Sequence, residues 1–219
     1  MNSTEALALL REEVFDTKTP YLLSDATLYA YLDDAQKMFC RLTHGIEDTR
    51  TAELTRLPIV AGTDWYDISP LILKIAKAAR VDTGKPLDLV TAEKAEKQGR
   101  RFGATITGVP QAIVTGMSKN AVRVWPLPTE DTDVELTVFR LPLVTITADG
   151  DQEFEVDEQH HQHLLLWAKY RYFDNHDLEI FDPRRSADYE TRFRAYCAKA
   201  KNEQERYRRP VGTVAYGGL

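Results

Sequence analysis

The sequence predicts an α+β fold: a helical bundle from the N- and C-terminal helices, carrying an inserted antiparallel β-rich domain. Three observations predict it. Apolar residues recur at helical spacing in residues 1–44 and again in 158–209. Residues 53–147 change to short strand-like runs punctuated by Pro and Gly. The two helical ends can meet only if the β region loops out between them. The corresponding boundaries are 1–48 and 156–210 for the helices, 49–155 for the insertion, and 211–219 for a flexible tail.

Asn2-Ser3-Thr4-Glu5 has the form of a capping box at the start of the first helix. Leu7, Leu10, Val14 and Phe15 follow at helical spacing, and Asp16 to Pro20 breaks the run. Ser24-Asp25 caps a second helix with the stripe Leu28, Tyr31, Leu32, Ala35, Met38, Phe39 and Leu42. Gly45 stands where a C-terminal cap belongs.

In the middle, Leu54, Leu57, Ile59 and Val60 lead through the turn Ala61-Gly62-Thr63-Asp64 into Trp65–Ile68, the pattern of a β-hairpin. Leu71–Val81 fits both periods and is read as a turn into a strand. Pro86–Val90 is a further strand, followed by a polar helix capped by Thr91 and ended by Gly99. Ala112–Thr115, Ala121–Trp125 and Asp133–Leu141 form an expected meander. Val122–Trp125 and Glu135–Phe139 alternate, which leaves one face wet. Pro126 and Pro128 close one strand, and Pro142 limits the last.

Glu158 is expected to open the next helix, with Leu164, Leu165, Trp167, Ala168, Tyr172 and Phe173 buried and Asp174–Asp177 closing it. Asp182-Pro183 restarts the chain as an N-cap and first helical residue. Tyr189, Phe193, Tyr196, Ala200 and Tyr207 line one stripe of the last helix, and Pro210 ends it.

The 219 residues are 43% apolar, enough for one sizeable core or two small ones. The formal charge of −6 argues against a general nucleic-acid binder. That average hides a basic segment, 183–209, at +5 against −11 for the rest. Such separation steers a partner or a sibling subunit into one orientation. Cys40 and Cys197 fall on helices without metal spacing and read as reduced core thiols. With no basic-then-apolar leader and no apolar run near the ~20 residues of a membrane span, the reading is a protein made in a reducing cytoplasm, with no membrane partner.

The densest polar cluster is Glu158-Gln159-His160-His161-Gln162-His163. His160 and His163 share a helix face, and Glu158 with His161 makes one Glu-x-x-His, so a metal-dependent hydrolase is an alternative function. It lacks a second acidic helix and would have to recruit Asp34 or Glu13. A solvated helix N-terminus is the simpler reading. No Gly-x-Ser-x-Gly occurs, and Gly99–Gly103 and Thr107–Pro110 lack phosphate-loop spacing. The expectation is a non-enzyme with no catalytic residue, cofactor or resident metal.

The basic pairs Arg100-Arg101, Arg184-Arg185 and Arg208-Arg209 are interleaved with acids and read as solvated or intersubunit surface. Arg192 and Arg194 are intersubunit candidates on charge, Tyr170 and Tyr207 as aromatic residues at an interface. The tail Val211–Leu219 cannot build a core and is too apolar to be a solvating tail, which suits docking into a groove or onto a sheet edge, with a merely frayed terminus as the alternative.

The layout resembles the head-to-tail adaptor (neck or connector) proteins of tailed bacteriophages. The resemblance rests on Leu10–Val14, the Leu-Ser-Asp-x-x-Leu-x-x-Tyr-Leu-x-x-Ala of Leu23–Ala35, and the hairpin and strand exit from Val60 to Pro70. It continues through Gly108-Val109-Pro110, Val124–Pro128, Arg140-Leu141-Pro142, Phe154-Glu155-Val156 and the His-x-x-Leu-x-x-Trp-Ala of His161–Ala168. These motifs are structural and mark no active site. The resemblance implies a virion protein of the neck: a ring, usually of twelve, that binds the portal above and tail or nozzle proteins below. Genome DNA would pass its lumen without sequence-specific contact. The C-terminal helix and tail would engage the portal, which makes Arg208, Arg209, Val211, Val214, Tyr216 and Leu219 the portal-docking candidates. A tail-tube or tail-completion protein is a further alternative.

Overall fold

A computed structural model of the chain describes residues 1–100, 106–148, 151–176 and 179–208, with only the backbone of Arg208. The chain divides into two compact units, 1–44 with 142–219, and 45–141. The architecture is α+β, with six α-helices among the described residues.

In the first unit, α1 (Ser3–Val14) begins at the expected capping box: Glu5 N donates to Asn2 Oδ1 at 2.8 Å, and Asn2 N to Glu5 Oε2 at 3.0 Å. Ala6, Leu7, Leu10 and Val14 are buried. Phe15 does not continue the stripe. It takes φ 62 as the C-cap, its N–H donating to the carbonyls of Arg11 and Glu12, and its ring is 84% exposed.

Ser24 caps α2 (Asp25–Leu42), accepting from Thr27 N at 3.2 Å. Leu28, Leu32, Ala35 and Phe39 are buried as expected, and Tyr29 joins them. The helix closes at Thr43, whose N–H and hydroxyl both donate to Phe39 O. Gly45 therefore lies beyond the cap.

The segment 142–156 is bonded to these helices. Ile146 N donates to Asp33 Oδ1, Gln36 Nε2 to Val144 O and Ser3 N to Gln152 O. A 3₁₀ turn, Glu158–His160, precedes α5 (His161–Phe173), so the α-helix starts three residues later than expected. α5 packs against α1, α2 and α6 (Pro183–Arg208), and is buried nearly all round for that reason. Asp182 caps α6, accepting from Arg184 N and Arg185 N at 3.1 and 3.0 Å. Ser186, Phe193, Cys197 and Ala200 face inward. Tyr207 leaves the expected stripe: α6 has twice the length of α5, and at its far end Tyr207 is 91% exposed. Cys40 and Cys197 are free and buried, and burial pushes the Cys197 thiol up to about 12.

The second unit contains β1 (Ile46–Asp48), α3 (Ala52–Thr55), β2 (Arg56–Ile59), β3 (Trp65–Asp67), β4 (Ile72–Arg80) and β5 (Asp88–Thr91). It continues with α4 (Ala92–Lys97), β6 (Thr107–Gly108), β7 (Ala112–Ser118), β8 (Ala121–Trp125), β9 (Leu127–Pro128) and β10 (Thr132–Arg140). In one sheet β10 is central, with β4 along one side and β1 and β2 sharing the other, all antiparallel. A second sheet runs β3-β8-β7-β5, and β6 pairs β9.

The expected hairpin at 57–68 is corrected. Its turn forms, with the Tyr66 hydroxyl donating to Thr63 O at 2.7 Å and accepting from Val60 N at 3.0 Å. Its strands then separate: Leu57 pairs Val134 and Tyr66 pairs Val122, in different sheets. The expected meander is likewise only half present. β7 and β8 pair, but the prolines after Trp125 redirect the chain and β10 joins the other sheet. Two pairings, β5 with β7 and β6 with β9, are parallel. For β5 and β7 the intervening stretch, which includes α4, supplies the crossover that parallel strands need. Leu71–Val81 resolves as strand, and α4 starts at its Thr91 cap. Ile59, Ile75, Val122, Val124, Val134, Leu136 and Val138 close one core between β-strands.

Gly45 opens this unit at φ +76, and a Cβ there would meet Arg140 O at 2.8 Å and Leu73 Cδ1 at 2.9 Å. Gly45→Ala is expected to destabilise by about 1–3 kcal/mol, read as a lower urea midpoint at unchanged slope.

Candidate interaction surfaces

The expected solvated helix start is only half present: Glu158, Gln159 and Gln162 are exposed, His163 is half-buried, and His160 and His161 are interior. His160 and His161 are 4% and 6% exposed. His160 Nδ1 is 2.8 Å from the Tyr196 hydroxyl, and its ring lies 4.7 Å from that of Phe39. His161 Nε2 is 2.8 Å from Val156 O, and His163 stacks flat on Tyr196 at 3.5 Å. His160 and His163 thus fasten the α5 start to α6 and α2, and His161 ties it to the Phe154–Val156 segment before it. The metal alternative finds no site: no group of three His, Cys, Asp or Glu side chains among the described residues is placed to hold an ion. Asp34 accepts from Trp167 Nε1 and Arg171 Nη1, both at 2.8 Å, and Glu13 pairs Lys169 at 2.6 Å.

Burial lowers the His160 pKa, with neighbouring Asp157 and Glu203 opposing and His163 and His161 adding to the effect. His163 is lowered by burial and by Lys199. A histidine whose folded pKa lies below its unfolded value near 6.5 binds its proton first in the unfolded chain. Stability should therefore fall as pH drops below about 6.5. Urea titrations at pH 7.5 and 5.5 should show that loss, and His160→Gln should reduce it.

The four intersubunit candidates do not all face one way, although Tyr170 lies within electrostatic reach of Glu190 and Arg194. Arg192 lies 3.6 Å from Asp188, and Arg194 Nε donates to Glu190 at 2.8 Å. Two positions apart on a helix, the two arginines point roughly 200° from each other. Tyr170 is half-buried with its ring 4.7 Å from that of Trp167, whereas Tyr207 is open to solvent. Of the basic pairs, Arg100 bonds Asp88 and lies over Trp125, and Arg185 pairs Asp182. Of the portal-docking set, the Arg208 side chain and Arg209, Val211, Val214, Tyr216 and Leu219 lie outside the described residues.

Two surfaces went unread in the sequence. The first is the α1–α2 connection, where Phe15, Tyr21 and Leu22 are exposed. It is shaped from beneath by buried Arg11, which donates to Asp16 Oδ2 at 2.6 Å, Asp25 Oδ1 at 2.5 Å and Leu23 O at 2.9 Å, and lies 3.7 Å from the Tyr21 ring centre. Arg11 sits one turn from Leu7 and Val14, on the buried stripe, and that placement is the signal a reading of helix faces could have used. The second is a cleft of about 470 Å³ in the second unit, between β4 and the β5–β7 pair. Ile68, Ile72, Leu73, Ile75, Leu89 and Val122 line it, and Lys74 is its one charged lining residue among the described residues. No helix of the described residues is long and apolar enough to cross a membrane.

The family model described as SU10 adaptor protein matches residues 1–214. No curated protein matches the chain.

Proposed function

The chain belongs to the SU10 adaptor protein family, a phage adaptor family, and from that premise we propose that it is a structural head-to-tail adaptor of a tailed phage. It forms a ring between portal and tail in the virion neck and leaves a passage for the genome. The family match over 1–214 carries this reading. Three features support it. Phe15, Tyr21 and Leu22 are all exposed on the α1–α2 connection, as suits a surface that meets protein. The histidine and carboxylate groups that offered a hydrolytic alternative are committed to packing and ion pairs. The net charge of −6 suits a conduit that does not grip phosphate.

Native mass spectrometry of the purified chain, alone and with the portal protein of its virion, tests this. The expected result is addition to the portal in a fixed multiple, about twelve if the resemblance extends to copy number. Indifference to the portal together with binding to tail proteins would make it a tail-completion protein instead. Reversing charge at Arg192 and Arg194 should reduce the ring mass and leave the fold intact, because exposed pairs of this kind contribute only about 0.2–1 kcal/mol each. An unchanged ring would remove these arginines from the contact.

A further inference from the structure

We propose that the cleft between β4 and β5 receives the Val211–Leu219 segment of a neighbouring copy, so that each subunit is strapped to the next. This deepens the ring reading and rests on it.

The cleft is bordered by unpaired strand edges of both sheets. β4 pairs with β10 along one side. On the other side, among the described residues, only its end is bonded: Leu87 N donates to Ala78 O, and Arg80 N to Lys85 O. From Leu73 to Lys77 that edge carries no backbone partner among the described residues. Among the described residues β5 is the outer strand of its own sheet, paired only with β7. Open N–H and C=O groups beside an apolar floor are the elements of strand addition: the main chain supplies affinity and alternate side chains find pockets.

The edge is not a general adhesive. The pairing register skips Ala76 and Leu73, two bulges that bend β4 within a few residues. A long flat strand cannot follow such an edge, but a short segment of about four residues can.

The occupant follows from polarity and reach. Val211–Leu219 carries no charged side chain, and among the described residues the cleft presents only Lys74 as a charge. Val211, Thr213 and Val214 are β-branched, the type that fits a pleated, half-buried surface. Fully extended, nine residues span about 30 Å. A donor segment on one copy and an acceptor cleft on another form a heterologous contact, the type that closes into a ring. Leu73, now 40% exposed, would be covered.

Disulfide trapping between two differently marked full-length copies tests the proposal. One copy carries Val214→Cys. The other carries Lys74→Cys or Ser118→Cys at the cleft, or Glu53→Cys elsewhere on the same unit; the native cysteines are buried. The pairs are mixed with portal protein and oxidised, and ring formation is followed separately by native mass. A cleft cysteine should trap Val214→Cys roughly tenfold or more faster than Glu53→Cys does, as a docked segment gains local concentration. Rings that assemble with equal trapping at all three positions would overturn the strap while sparing the adaptor reading. Trapping of Val214→Cys on the portal alone would overturn it too and assign the tail to the portal. Loss of portal binding by the unmarked chain would instead sink the adaptor reading, and the strap with it.

Discussion

Replacing Arg11 by methionine is expected to cost the first unit about 3–5 kcal/mol, the range for removing one partner of a buried ion pair. Methionine fills much of the same volume, so the loss is electrostatic. The Asp16 side chain is almost fully buried and would keep the backbone N–H of Leu22 but lose its cation. Desolvated carboxylates in that position are costly, and the chain would relieve the cost by opening residues 15–25. Hydrogen exchange read by mass spectrometry should show faster exchange across that connection and α1, with 45–141 unaffected. An Arg11→Met protein as stable as wild type would mean that Asp16 finds another donor.

Asp48→Ala should cost the second unit a similar amount, about 3–5 kcal/mol at neutral pH. Asp48 accepts from Arg50 N at 2.8 Å, Thr51 N at 3.0 Å, Thr51 Oγ1 at 2.7 Å and Arg140 Nε at 2.5 Å. Burial by itself would raise its pKa, but these four donors outweigh it and hold the carboxyl well below the usual carboxylate range. Because the folded pKa lies below the unfolded one, the contribution is complete above about pH 4 and is lost as pH falls further. The difference between wild type and Asp48→Ala should therefore shrink in acid, below the window in which the histidines act. A gap between the two proteins that stays constant from pH 7 to 3 would contradict the assignment.

What the sequence made legible was local. The Asn2 and Glu5 capping box, the Ser24 cap, the Thr91 cap and the Asp182-Pro183 restart all form, because each involves residues within a turn of one another. What it concealed was pairing. The turn at 61–64 is real, yet nothing in the alternation of 54–68 tells whether the two strands bond each other or separate partners far along the chain, as Leu57 bonds Val134 and Tyr66 bonds Val122. Burial of polar groups was equally hidden. His160 and His161 look like surface until Tyr196 and Val156 arrive as partners from distant or irregular chain. Phe15 had the right spacing for a core stripe, and the left-handed cap that turns it outward answers to Asp16, whose N–H bonds back to Arg11 O.

The pairing of Ile46 with Arg140 brings the two ends of the second unit side by side. Seen from residues 44 and 142, those 97 residues then behave as a hairpin-sized connection. Closing an unstructured loop of that length costs roughly 4 kcal/mol in chain entropy by the logarithmic rule, and a folded insert removes most of it. The insert thus acts as a splint for its host: once it has folded, α2 and α5 search for each other as if they were near neighbours in sequence.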